Sequence, residues 1–458
     1  MPAPVWRRGA AVVAGALGAT LALAACGVGS SGSSSSSSSS GAAASNTDPA
    51  CAAFASYGTF PGKSVSVFTS ILAPEDAQHK KSYEQFTKCT GIKINYEGSN
   101  TFEAALKVRV QGGNAPDLAY IPQPGLLANL VKQGAVKPAP AAVEKLVDTN
   151  WSADWKKYGT VDGKFYAAPL GASVKSFVWY SPKYFKANNL TVPTTWDDLI
   201  KLSDTIAAKN LKPWCVGFGS GDATGWPGTD WIEDIVLRTA GADAYDKWVN
   251  HQIPFNDPQI QAAFDKAGTI LKNEKYVNGG FGGVKTINTT RFQDAGLKIA
   301  SGQCALHRQA SFYAAQWAKG TNIAEDGDIF AFYLPPIDAA KGKPVLGAGE
   351  FVAAFSDKPE VQAFQTYLAS KEWANEKAKL GGWASANKGL DVANVADPIQ
   401  KLSVTLLQDQ NATFRFDGSD LMPAAVGAGT FWKGMVNWIN GQPTKQVTDT
   451  IEASWPKS

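Results

Sequence analysis

The chain has 458 residues, more than one hydrophobic core usually serves, and its 44% hydrophobic, 18% charged make-up is that of a globular protein of two or more lobes. Lys and Arg number 43 against 40 Asp and Glu, so the basic excess of a phosphate-tracking surface is missing and nucleic acid is not expected as a partner. With three histidines in all (His79, His251, His307), a multi-histidine metal site is not expected either, and no cofactor is foreseen.

Residues 1–8 carry Arg7 and Arg8, residues 9–23 are small and apolar, and Leu23-Ala24-Ala25-Cys26 follows. A charged start, a short apolar stretch and a small-residue cleavage site predict a secretory signal over residues 1–25. The run is short for a membrane span of ~20 apolar residues. Cysteine directly after Leu-Ala-Ala resembles a bacterial lipobox, which implies cleavage before Cys26 and a diacylglyceryl group on its sulfur. An ordinary signal with an incidental cysteine is the alternative. Eight serines at 33–40 sit inside a Gly/Ala/Ser tract, and residues 26–56 read as a tether. Such a tract buries little apolar surface, and some 24 residues of it reach roughly 25–30 Å. Export leaves Cys51, Cys89, Cys215 and Cys304 in an oxidising compartment. An even number there predicts two disulfides, with three connectivities open; four free thiols are the alternative.

The body alternates strands and helices. Residues 64–68 (Ser-Val-Ser-Val-Phe) alternate as a strand does, 74–88 read as a helix ending near Gly91, and 93–96 as a second strand. Residues 102–110 predict a helix stopped by Gly112-Gly113, 117–121 a third strand, and 125–132 a helix ending at Gly134. The pattern restarts with a strand over 174–180, a helix opening near Thr195 and Asp198, and a strand over 214–218. This order predicts an α/β fold of parallel sheets covered by helices, in two lobes.

Asn114-Ala115-Pro116-Asp117-Leu118, Gln123-Pro124-Gly125 and Gln133-Gly134-Ala135 resemble the first lobe of the family 1 bacterial extracellular solute-binding proteins. Val192-Pro193-Thr194-Thr195-Trp196-Asp197-Asp198-Leu199 resembles the family's second-lobe entry helix. The stretch from Phe414-Arg415-Phe416-Asp417-Gly418 to Thr430-Phe431-Trp432 resembles the closing region of its α-glucoside-binding branch. The resemblance covers residues 64–455 and implies a two-lobed periplasmic-binding-protein fold (type II, maltose-binding-protein-like) with three chain crossings. It places the crossings near residues 170–174, near 332–336 and between about 372 and 382. Lobe one is then 57–171 with 335–375, and lobe two 172–334 with 376–458. Pairing Cys51 with Cys89 and Cys215 with Cys304 keeps each disulfide within one of these lobes. The implied function is that of a monomeric substrate-binding lipoprotein of an ABC importer. It would capture a sugar, hand it to the permease subunits, and touch the membrane only through its lipid.

A pyranose presents an apolar C–H face and a rim of hydroxyls, so its site needs aromatic planes beside fixed charged or amide groups. Trp432 falls, by the Phe-Trp match, on a sugar-stacking position of the family. Trp226 and Asp222 lie in the glycine-rich stretch after the 214–218 strand, where α/β folds place ligands, with a loop-pinning tryptophan as the alternative. Asp230 reads as a helix cap. Trp383 lies near the third crossing, at the cleft or in packing; Trp179 reads as core. Arg308 either bridges two hydroxyls with its planar fork or pairs with Asp417 or Asp420. Asp417 is an open candidate, whereas Asp420 reads as a cap or turn former. Glu75 and Gln123 follow lobe-one strands, in loops that face the cleft in the family, and Glu350 and Phe351 are further candidates. Two carboxylates across a cleft would also suit a secreted glycoside hydrolase, and a receptor for a peptide or other polar solute stays open. No nucleophile elbow, His-Glu-x-x-His run or phosphate loop is present, so a binder rather than an enzyme is expected.

Overall fold

The computed structural model describes residues 48–456 apart from Phe281, Ala396 and Gln410; the expected signal, Cys26 and most of the tether lie outside the described residues. Two mixed five-stranded sheets organise the rest. In the first, Ser64–Thr69 runs parallel between Lys93–Gly98 and Leu118–Ile121, and Phe351–Ala354 and Ala167–Pro169 extend the sheet antiparallel. In the second, Trp214–Cys215 is parallel to Val277–Asn278 and Leu306–Arg308, while Phe177–Tyr180 pairs antiparallel with both Leu306–Arg308 and Phe330–Tyr333. Where all-parallel sheets were expected, one strand of each sheet, Phe351–Ala354 in the first and Phe177–Tyr180 in the second, therefore runs against the other four. Phe177–Tyr180 and Phe351–Ala354 enter directly from a crossing, without the long covering connection that parallel pairing needs.

The first sheet is buried on both faces, which is why Leu118–Ile121 reads as a continuous apolar run. Ala119 and Ile121 pack with Phe68, Phe102 and Leu126 on one face, and Leu118 and Tyr120 with Val67, Phe86 and Phe364 on the other. Lobe two surrounds one larger core that includes the fully buried Trp179, Trp214, Trp248 and Trp438. Its Trp196–Ala207 helix is capped as the sequence indicates, with the Asp198 N–H donating to Thr195 Oγ1 at 3.1 Å. The helix expected over 74–88 is two, Asp76–Ser82 and Glu84–Thr90, the second closed by Gly91 at φ +77°.

A small third sheet joins the lobes: Lys343–Ala348 pairs with Ala412–Phe416 on one side and Ser173–Val174 on the other. The chain first passes from one sheet to the other between Ala167–Pro169 and Phe177–Tyr180. The second crossing spans residues 334–350. Phe332 still belongs to the second sheet, and the first sheet is regained only at Phe351, because the apolar 343–348 run pairs within the joining sheet. Near the third crossing the Ala172 N–H donates to the Ala384 carbonyl at 2.9 Å, tying two crossings together.

Both disulfides take the expected pairing, Cys51–Cys89 with Cα atoms 5.3 Å apart and Cys215–Cys304 with 5.5 Å. The first fastens Pro49–Tyr57, a 3-10 helix whose Phe54 and Tyr57 rings pack on Tyr367. Residues 49–56, assigned by sequence to the tether, are thus part of the folded body. Among the described residues no helix is long and apolar enough to cross a membrane.

Candidate functional site

The parallel strands of both sheets end at a cavity of about 430 Å³ between the lobes, within the size range of small-ligand sites. Loops after Thr69, Gly98 and Ile121 bring Glu75, Glu103 and Gln123 to its lobe-one wall. This is the carboxyl-end location that α/β sheets favour for ligands. Gln123 opens the Pro124–Lys132 helix; its Nε2 donates to Glu103 Oε1 at 2.9 Å, and its Oε1 is buried without a partner among the described residues. Burial raises the pKa of Glu103. Glu75 is pushed up to about 8 by burial and by the facing Glu350, with Lys377 opposing. Glu350 itself stands on the crossing into the first sheet and is raised by burial.

The lobe-two wall is aromatic. Trp226 is the first residue of the Trp226–Thr239 helix, reached through Gly225 at φ +115°. Only glycine suits that position, since a Cβ there would also strike the Trp432 backbone. The Trp226 ring meets Phe292 at 4.9 Å in an edge contact, and Phe312 at 6.2 Å. Trp432 is 4% exposed. Its Nε1 and the Oε1 of Gln293, another wall residue, are buried polar atoms without partners among the described residues.

Beneath this wall lies a buried charge network. Lys175 Nζ donates to Asp230 at 2.8 Å and to Asp417, and stands 5.2 Å over the Trp226 ring. Desolvation works against the Lys175 charge, but Asp230, Asp417, Asp420 and Glu233 hold its pKa well above the ordinary lysine value. Burial also opposes ionisation of Asp417, yet Lys175 and hydrogen bonds from Ser419 and the Asp420 N–H keep it low. Burial pushes Asp230 to about 7 and raises Glu233 and Asp420 well above the carboxylate range. Asp230, Glu233 and Asp417 bring carboxylate oxygens within 4.8 Å of one another, a spacing that could hold a cation. The Lys175 ammonium already supplies the countercharge there.

The cavity thus brings together Trp432, Trp226, Gln123, Glu75, Asp417 and Glu350 from the sequence expectation, and leaves out Asp222, Arg308, Trp383 and Phe351. Asp222 is exposed on a turn whose neighbours Gly221 and Ala223 face the cavity instead. Arg308 points from its strand into the packed Trp226–Thr239 helix. It donates to Asp234 Oδ2 at 2.7 Å and to the Asp230 carbonyl at 2.8 Å, and so serves the core. Phe351 is fully buried among Trp155, Tyr158 and Phe416. Trp383 stands behind the wall, edge-on to Trp373 at 5.1 Å and against Gly171. Asp230 is not a cap, because its helix starts four residues earlier, at Trp226. Asp417 caps the Gly418–Leu421 turn of helix as well as reaching the cavity, and Asp420, read from sequence as the cap or turn former, faces the cavity too. Glu103 was missed although it follows the Lys93–Gly98 strand, where the strand-end rule applies; Phe292 and Gln293 come after the 3-10 helix Gly283–Thr286, well past the Val277–Asn278 strand, and carry no strand-end signal.

Residues 72–375 match the profile of the bacterial extracellular solute-binding proteins. The osmoprotective compounds-binding protein GgtB of Synechocystis sp. is 41% identical over 399 residues, 86% of this chain and 93% of that protein. The alpha-glucosides-binding periplasmic protein AglE of Rhizobium meliloti is 37% identical over 409 residues, 86% of this chain and 87% of its own. The crystal structure of the bacterial solute receptor AcbH superposes with a TM-score of 0.72 at 21% identity, over 86% of this chain and 97% of that one, a likeness of fold. With its two α/β lobes and the cavity between them, the chain belongs to the bacterial extracellular solute-binding protein family.

Proposed function

We propose that the protein captures a sugar, an α-glucoside or small oligosaccharide, between its lobes and delivers it to the permease of an ABC importer. One observation carries this reading. Gln123 Oε1, Gln293 Oε1 and Trp432 Nε1 are buried, unpaired and set in a wall that also offers aromatic faces. Buried polar atoms are costly unless paired, and a ligand with an apolar face and a rim of hydroxyls would pair them. The names of the two relatives, alpha-glucosides-binding and osmoprotective compounds-binding, support the ligand class. The second name favours one further reading, a small osmoprotective solute.

The lobes in this reading divide near residues 171, 334 and 375, as the family resemblance implies. A ligand touching both walls gains its full contacts only when they approach, so binding favours the closed population. The loaded form is the one a permease would recognise. Cys26 is proposed as the lipid-bearing residue that holds the protein at the membrane, and the mass of the mature N-terminus tests it. No chemistry is assigned to the cleft.

A thermal-shift screen over α-glucosides, other mono- and disaccharides and common osmoprotectants tests the ligand class. A ligand at 100 times its dissociation constant adds ~2.7 kcal/mol of stability. Stabilisation by osmoprotectants alone would favour the second reading. Stabilisation by a peptide and by none of these would overturn both, and glucose released from an α-glucoside would reveal an enzyme.

A further inference from the structure

The helix Lys371–Lys379 places Lys377 directly behind the lobe-one wall of the cavity. The side chain is 0% exposed, and its Nζ has no hydrogen-bond partner among the described residues. It stands 5.6 Å over the ring of Trp383, the tryptophan that the sequence singled out and the cavity left unused. A buried ammonium without hydrogen bonds is unfavourable, and an apolar side chain of similar size would pack there at lower cost. What faces Lys377 is acidic and opens on the ligand side: Glu75, at the start of the Asp76–Ser82 helix packed against it, and Glu350, on the second crossing.

We propose that Lys377 is a positioning residue of the ligand cleft: from behind the wall its ammonium keeps one negative charge, shared by Glu75 and Glu350, directed into the cavity. The proposal rests on the reading of this cavity as the binding site. Two facing carboxylates, each partly buried in the wall, do not both ionise readily, and one ammonium offsets one of them. The pair then offers the ligand a carboxyl that donates beside a carboxylate that accepts, which suits two adjacent hydroxyls. Burial and Glu350 hold Glu75 up at about 8 and burial brings Lys377 down to about 7, so the cluster exchanges protons near neutrality, and the attraction of Glu75 and Glu350 is what returns Lys377 toward its charged form. The other groups facing the cluster leave this assignment intact. His79 is kept neutral by burial and by Lys377 itself, Asp76 pairs with Lys80 at 2.6 Å, and burial keeps the Tyr96 hydroxyl protonated. Lys175, from the crossing on the other side, adds a second positive charge toward Glu350.

The test compares Lys377→Met, Glu75→Gln and the double variant of the full chain. One readout is carboxyl-carbon NMR titration of the ligand-free protein; the other is the pH dependence of affinity for methyl α-glucoside and maltose as probes. The expected result is that Lys377→Met raises the pH at which the Glu75–Glu350 pair titrates by about one unit, a ten-fold change in proton affinity. It should also weaken probe binding near neutrality on the order of ten-fold, with the double variant losing less than the sum of the singles. A merely structural lysine would lower the melting temperature and leave the titration and pH profile unmoved, and that result overturns the proposal. Should Lys377→Met fail to fold, the wild-type titration decides: coupled, elevated carboxyl titration supports the proposal, and two independent ordinary carboxylates refute it. A shifted titration with neither probe bound would count against the sugar reading while upholding the charge coupling.

Discussion

Replacing Trp432 by phenylalanine separates what this residue does for ligand from what it does for the fold. The indole is 4% exposed and its Nε1–H has no acceptor among the described residues. An unpaired buried donor costs the folded protein about 1–3 kcal/mol. Trp432→Phe removes that cost together with part of the ring, so the two effects oppose and the ligand-free protein should stay within about 2 kcal/mol of wild type. In the complex the same N–H should donate to a sugar hydroxyl, a bond worth about 0.5–1.5 kcal/mol net. Its loss should raise the dissociation constant about two- to twelve-fold. Trp432→Ala is a poorer probe, because emptying a buried tryptophan site costs about 3–5 kcal/mol of stability and confounds the comparison. Calorimetric titration with the best α-glucoside gives the affinity, and urea unfolding of the free protein gives the stability. An unchanged dissociation constant for Trp432→Phe would refute the argument from unpaired wall atoms.

Arg308→Leu should behave in the opposite way, costing about 3–5 kcal/mol in urea unfolding by stranding Asp234 and Asp230, while the folded fraction keeps its affinity. Breaking Cys215–Cys304, which spans 89 residues, should cost about 4.6 kcal/mol by chain entropy, against about 3.9 for Cys51–Cys89, which spans 38; paired alanine variants followed by thermal unfolding give the order. Glu75 bears on pH dependence. Its folded pKa of about 8 lies above the ordinary 4.5, so the stability this lends is complete below about 4.5 and is lost as pH rises through about 8. Glu75→Gln should therefore gain stability relative to wild type from about pH 5 to about pH 9, and a constant difference across that range would show the carboxyl to be ordinary.

The fold was legible because strand ends and helix ends are marked locally. Gly91, Thr195 and the apolar 118–121 run each act through their own neighbours, and each stands where the sequence puts it. The joining sheet was not legible. Lys343–Ala348 owes its place to partners 173 and 175 positions away in one direction and 69 in the other, and no local pattern shows such pairing. Gln123 and Glu75, singled out because they follow strands, do line the cavity, since position along the chain alone carries them there. Arg308 and Phe351 failed because a strand side chain faces either the cleft end or the covering helices, and that choice depends on packing. Asp417 was singled out, but its pairing with Lys175, 242 positions away, was invisible in sequence.

The most direct test of sugar capture is a crystal structure of the protein with its tightest-binding α-glucoside. The expected result is a sugar in the interlobe cavity with a ring on Trp226 or Trp432. Its hydroxyls should lie within hydrogen-bond distance of Gln123 Oε1, Gln293 Oε1 and Trp432 Nε1, the three atoms now without partners. A sugar bound elsewhere, or one in the cavity that leaves these three atoms unpaired, would contradict the account.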